Sequence, residues 1–206
     1  MDVVVSAVVF DIGGVLLDWD PRHLYRQLFD GDEDAMERFL TQVCTPGWHA
    51  AQDLGYSIER ACRELAAEHP GQAELILTWA RRTEDMISGP VPGTAAVLAE
   101  LKQRGVRCYA LSNMEAETFP VRLRRYEFLR QLDGHVISGL ERVAKPDPRI
   151  YRLLLDRYQL AAGQTLFIDD KQANVMAARE VGMRAVRFES APALRAQLVT
   201  MGLLAG

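Results

Sequence analysis

Apolar and polar positions divide the chain into two regimes. The run Val3 to Phe10 is short, β-branched and apolar on both faces, the pattern of a central strand in a buried parallel sheet. Asp11-Ile12-Gly13-Gly14 breaks it. From Pro21 to about Ala99 no convincing strand is legible. Ser57 can cap a helix there, because Ile58, Ala61, Cys62, Leu65 and Ala66 recur at helical spacing. Gln72 to Met86 also reads as helix, so this stretch predicts an all-helical block of about two to four helices.

Beyond Pro92 the pattern alternates between helix and strand. Val97, Leu98 and Leu101 mark a helix stopped by Gly105, and Val106 to Leu111 predicts a strand running into Ser112-Asn113. His135 to Ser138 predicts a short strand, and Asp147-Pro148 a helix start with Asp as cap and Pro at the first helical position. Thr165 to Ile168 predicts a strand running into Asp169-Asp170, followed by a helix to Gly182. Arg184 to Phe188 reads as a last strand, and a terminal helix begins near Ala191. Such alternation implies an α/β fold with a doubly wound, mainly parallel, Rossmann-like sheet. The helical block is then an insertion after the first strand: residues 1–14 and 89–206 form the α/β core, and residues 15–88 form the insert.

Composition narrows the function. At 206 residues and 49% apolar content, the chain can bury a sizeable core without staples. A net charge of −4 argues against a nucleic-acid or anionic-membrane partner. Cys44, Cys62 and Cys108 form neither a metal pattern nor a disulfide framework, which fits a reducing compartment. The apolar start lacks a basic n-region and is interrupted by Asp11, and no later stretch is apolar enough to span a bilayer. The expected location is cytoplasmic. The chain has 21 arginines and only three lysines, Lys102, Lys145 and Lys171, so a retained lysine draws notice.

Ligands of open α/β sheets bind outside the carboxyl ends of the strands. Three predicted strands end there in polar residues: Asp11, then Ser112 and Asn113, then Asp169 and Asp170. Lys145 lies in a loop that could reach the same edge. Clustered carboxylates repel one another and need a cation, and oxygen ligands beside a phosphate favour Mg²⁺. A carboxylate can attack phosphorus to give an aspartyl-phosphate, while a hydroxyl, an amide and a lysine hold the phosphoryl oxygens. Taken singly, each residue also has an ordinary structural reading as a turn, a cap or a surface lysine.

Together these segments resemble the four motifs of the haloacid dehalogenase superfamily. Phe10-Asp11-Ile12-Gly13-Gly14-Val15 is similar to its first motif, Leu111-Ser112-Asn113 to its second, Lys145-Pro146 to its third and Ile168-Asp169-Asp170 to its fourth. The helical block falls where this family inserts a cap. The resemblance covers nearly the whole chain and is closest to the branch of epoxide-hydrolase N-terminal phosphatases and bacterial sugar-phosphate phosphatases. It implies a Mg²⁺-dependent phosphatase acting on a small phosphorylated metabolite. Asp11 would be nucleophile and metal ligand, and Gly13 would give the metal its backbone carbonyl. Ser112 and Asn113 would bind phosphate, with Lys145 neutralising nucleophile and phosphoryl group. Asp170 would bind Mg²⁺ directly and Asp169 directly or through water, with Asn174 supporting their loop.

One departure matters. Most phosphatases of the superfamily carry a second Asp two residues after the nucleophile, as general acid and base; here that position is Gly13. The 2-haloacid dehalogenases of the superfamily lack that Asp too, but they also lack the acidic metal ligands of the fourth motif, which Asp169-Asp170 provides. A metal-independent dehalogenase and a non-catalytic phospho-ligand binder are the alternatives. Without an acid at Gly13, substrates with easily expelled leaving groups are expected, unless Asp18, Asp20 or a residue of the insert takes over. Trp48, His49 and Tyr56 read first as packing or surface residues and second as candidates for substrate specificity in the insert, and Arg122, Arg124, Arg125 and Arg130 read as a solvated basic face.

Overall fold

A computed structural model describes residues 5–206, so Val3 and Val4 of the first predicted strand lie outside the described residues. Five parallel strands form the main sheet: β1 (Ala7–Phe10), β4 (Arg107–Ser112), β5 (Gly134–Ile137), β6 (Thr165–Asp169) and β7 (Arg184–Arg187), in the order β5-β4-β1-β6-β7. The chain leaves the central β1, builds outward to β5, then returns to β6 on the other side. This reversal places a topological switch at the carboxyl end of β1.

The pleat of β1 explains why both of its faces are apolar. Val8 and Phe10 join one core with Cys108, Ala110, Leu166 and Ile168, covered by α6 (Thr94–Gln103), α7 (Phe119–Arg125) and α11 (Ala191–Thr200). Ala7 and Val9 join the opposite core with Leu111 and Phe167, covered by α9 (Pro148–Arg157) and α10 (Gln172–Glu180). Asp147 caps α9 through a 2.9 Å bond from Arg149 N, with Pro148 at the first position, as its sequence predicts.

Between β1 and α6 the structure differs from the sequence reading in two ways. Five α-helices are present rather than two to four: α1 (Pro21–Leu28), α2 (Glu33–Gln42), α3 (Pro46–Asp53), α4 (Ile58–Glu68) and α5 (Ala73–Arg81). Four of them have side-chain caps, from Asp20, Asp32, Thr45 and Ser57. They bury a third core that includes Leu24, Tyr25, Phe39, Cys62, Ile76 and Trp79. The stretch from Pro21 to Ala99 is also not free of strands. β3 (Ile87–Pro90) pairs antiparallel with β2 (Leu17–Trp19), so the chain enters and leaves the helices through one two-stranded ribbon. Gly89 and Pro90 mask β3 in the sequence, since both residues weaken a strand pattern. The three cysteines are buried and unpaired. No helix among the described residues is long and apolar enough to cross a membrane.

Candidate functional site

The loops after β1, β4 and β6 meet at one edge of the sheet. Asp11 follows β1 directly, and its N–H bonds Ile168 O at 2.8 Å, which carries the β1–β6 ladder one residue further. Ser112 Oγ donates to Asp11 Oδ1 at 2.8 Å, and Ile12 N–H donates to the same oxygen at 2.6 Å. Lys145 Nζ lies 2.8 Å from Asp11 Oδ2 and 2.7 Å from Asp169 Oδ2. One buried ammonium therefore sits between two buried carboxylates. Burial and the Asp169 charge push the Asp11 carboxyl up, against the pull of Lys145. The two carboxylates overcome burial and hold Lys145 above its ordinary value, so it stays charged.

The two aspartates after β6 differ. Asp169 is fully buried and saturated: it accepts from Lys145 Nζ, from Lys171 N–H at 2.8 Å and from Asn174 Nδ2 at 3.0 Å. Asn174 Nδ2 thus reaches both oxygens of Asp169. Asp170 Oδ1 is buried with no partner among the described residues. Burial, and then the charge of Asp169, push its carboxyl up. Carboxylate oxygens of Asp11, Asp169 and Asp170 all lie within 4.8 Å of one another. An orphaned oxygen within such a group is a donor set that suits a hard divalent cation such as Mg²⁺. Gly14 is required beside it. Its φ is +76°, and a Cβ there would come within 3.0 Å of the Asp170 carboxylate.

A cavity of about 290 Å³ opens over this edge. Asp11, Gly13, Asn113, Lys145, Asp170 and Asn174 line it, whereas Ser112 and Asp169 lie behind the wall. Asn113 holds the Lys145 loop: its Nδ2 donates to Lys145 O at 2.9 Å and its Oδ1 accepts from Lys145 N–H at 2.8 Å. One Nδ2 proton is left for a ligand.

The far wall carries groups that the sequence reading either left out or gave an ordinary structural role. Glu115, three residues beyond β4, is buried, and its carboxylate meets His49 Nε2 at 2.9 Å and Arg122 Nη2 at 3.7 Å. Burial alone would raise Glu115, but the His49 bond and the Arg122 and His49 charges bring it down to about 2. Arg122 is only 3% exposed and pairs with Glu84 as well, which corrects its assignment to a solvated basic face; Arg124, Arg125 and Arg130 are exposed. His49 both packs and faces the cavity. Its ring stacks on Trp19 at 5.0 Å and lines the cavity, while Trp48 packs edge-on against Trp79 and Tyr56 lies at the surface against Glu64. The i, i+4 spacing of His49 and Asp53 on α3 was the available signal for this wall.

Comparison with known proteins decides the family. The model of haloacid dehalogenase-like hydrolases matches residues 5–182. The chain belongs to that family. This hydrolase is 31% identical to the sesquiterpene phosphatase astK of Aspergillus oryzae, over 86% of this chain and 87% of that protein. A Bacteroides thetaiotaomicron enzyme of the family, crystallised with magnesium and inorganic phosphate, shares its fold with a TM-score of 0.67 at 20% identity, covering 90% of this chain and 95% of its own. The L-2-haloacid dehalogenase of Xanthobacter autotrophicus also shares it, with a TM-score of 0.63 at 22% identity over 98% and 85% of the two chains.

Proposed function

We propose that this hydrolase is a Mg²⁺-dependent phosphomonoesterase acting on a small phosphorylated metabolite through an aspartyl-phosphate at Asp11. The observation that carries this reading is the unpartnered Asp170 Oδ1 beside Asp11 and Asp169. Displacing halide from a 2-haloacid gives a third carboxylate nothing to do, whereas phosphoryl transfer uses a cation to draw in the substrate's anionic oxygens. The similarity to astK supports the same choice.

Asp11, Asp170 and the Gly13 carbonyl would hold the metal, with Asp169 direct or through water. When bound, Mg²⁺ supplies charge neutralisation at the phosphoryl oxygens. Asp11 Oδ attacks phosphorus. Lys145 then sits beside both the nucleophile and the transferred group, so the developing charge meets a fixed cation in a dry site. Ser112, bonded to Asp11 Oδ1, fixes the carboxylate's rotation and leaves its other oxygen beside Lys145. Residues 15–88 would act as a cap, with the β2–β3 ribbon as its stem. A phosphorylated sugar is one such metabolite.

The test is phosphate release from an aryl phosphate and from a panel of phosphorylated metabolites, with Mg²⁺ and with EDTA, beside halide release from a 2-haloacid. Mg²⁺-dependent phosphate release is expected. Halide release indifferent to EDTA would establish the dehalogenase reading instead.

A further inference from the structure

The phosphatase reading leaves a gap at Gly13. An ester's departing oxygen takes the bond's electron pair and needs a proton, and a positioned acid contributes ~10²–10⁴-fold. Gly13 has no side chain to supply it.

The two nearby aspartates are committed elsewhere. Asp18 bonds Ser88 Oγ and pairs with His23 at 3.1 Å, where β2 meets β3 and α1. Asp20 caps α1 through Arg22 N–H at 2.9 Å and pairs with the Arg22 guanidinium. Glu115 walls the cavity, but His49 and Arg122 hold it ionised, so it has no proton to give. His49 turns its Nε2 to Glu115 and its face to Trp19.

Asp53 is different. It ends α3, one turn beyond His49, and lines the same cavity as Asp11, Gly13 and Lys145. Its Oδ1 is buried without a hydrogen-bond partner among the described residues. Its carboxylate lies within 4.8 Å of ligand atoms of both His49 and Glu115. An unpartnered oxygen beside an ionised Glu115 favours the protonated form, which needs only one acceptor for its O–H.

We propose that Asp53, delivered from the helical insert, is the general acid and base of the reaction in place of a side chain at Gly13. The proposal rests on the phosphatase reading. In the first step an Asp11 oxygen bonds phosphorus and the ester P–O bond breaks. The leaving oxygen takes the electron pair and the Asp53 proton. In the second, a water oxygen bonds phosphorus, Asp53 carboxylate takes the water's proton, and the P–O bond to Asp11 breaks. Alcohol and phosphate leave, and Asp53 is again protonated. The facing charges agree: burial raises Asp53 first, His49 lowers it, Glu115 raises it, Lys171 and Lys145 lower it, and the balance is about 6. That value suits an acid that must also act as base. His49, between Glu115 and Asp53, is a positioning residue.

The experiment measures kcat/KM with Mg²⁺ for an aryl phosphate and a primary alkyl phosphate, in wild type, Asp53→Asn and His49→Gln, with thermal melts to confirm folding. A shallow dependence on leaving group is expected in wild type. Asp53→Asn should lose ~10²-fold or more on the alkyl ester and far less on the aryl ester. Adding Gly13→Asp to Asp53→Asn should recover alkyl turnover. The backbone there has room for a Cβ, which meets nothing closer than Trp19 Cβ at 3.9 Å. Equal losses on both esters, or a loss selective for alkyl esters in His49→Gln but not in Asp53→Asn, would overturn the assignment. So would a folded Asp53→Asn with wild-type rates on both. Absence of any Mg²⁺-dependent turnover in wild type would instead overturn the phosphatase reading.

Discussion

Lys145 Nζ stands 2.8 Å from Asp11 Oδ2 in a site where both side chains are almost completely shielded from water. The same nitrogen reaches Asp169 at 2.7 Å, so one cation balances two carboxylates from different strands. Removing one partner of a buried pair strands the rest. Lys145→Met should therefore cost about 3–5 kcal/mol of stability without metal, and Mg²⁺ should recover part of that. Denaturant melts with Mg²⁺ and with EDTA measure it. A variant as stable as wild type in EDTA would contradict the ion-pair account.

Asp170 and Asp169 should behave oppositely. Asp170→Ala removes a carboxylate whose buried Oδ1 has no partner among the described residues, so the metal-free protein should melt no lower than wild type while losing most of its stabilisation by Mg²⁺. Asp169→Ala strips an acceptor from Lys145, Lys171 N–H and Asn174, and should destabilise the protein with or without metal. Melting temperatures across a Mg²⁺ titration separate the two. Unchanged Mg²⁺ stabilisation in Asp170→Ala would exclude it as a ligand.

The Glu115 carboxylate gives a pH signature. Its folded value of about 2 is below its unfolded 4.5, so its stabilisation is complete above 4.5 and lost as pH falls toward 2. His49 is shifted the other way: burial lowers it, but the Glu115 bond and the Asp53 and Glu115 charges outweigh burial. Its share is complete below 6.5 and fades as pH rises beyond that. Glu115→Gln should thus cost on the order of 3 kcal/mol between these limits, with the gap to wild type narrowing on both sides. Chemical denaturation from acidic to mildly alkaline pH checks it. A gap independent of pH would remove the electrostatic role.

Closure of the helical insert should be visible at its stem. A phosphate mimic such as BeF₃⁻ with Mg²⁺ should slow amide exchange at residues 14–20 and 88–92, which overlap the β2–β3 ribbon. Identical exchange in free and bound protein would contradict a moving cap.

Much of this was legible in the chain. β1, β4 and β6 announce themselves because apolar runs end abruptly in polar residues, and parallel pairing then gathers Asp11, Ser112 and Asp169 without further information. The β2–β3 ribbon was not legible. Leu17-Asp18-Trp19 is too short to show a period, and Gly89-Pro90 reads as a loop. The wall of the cavity was not legible for a different reason. His49, Glu115 and Arg122 come from separate elements, and a charged residue on a short helix reads as solvated until tertiary packing buries it. Arg122 and its exposed neighbours Arg124 and Arg125 are indistinguishable by composition; only the helix phase against Glu84 and Glu115 separates them.

The proposed phosphoryl transfer stands or falls with Asp11 as its nucleophile. Asp11→Asn keeps the shape of the side chain, and its amide can still accept from Ser112 and Ile12 N–H. The decisive measurement is Mg²⁺-dependent phosphate release from an aryl phosphate by purified wild type and by Asp11→Asn of matched circular dichroism. Turnover is expected in wild type and none above background in the variant; activity retained by a pure, folded Asp11→Asn would contradict the covalent role.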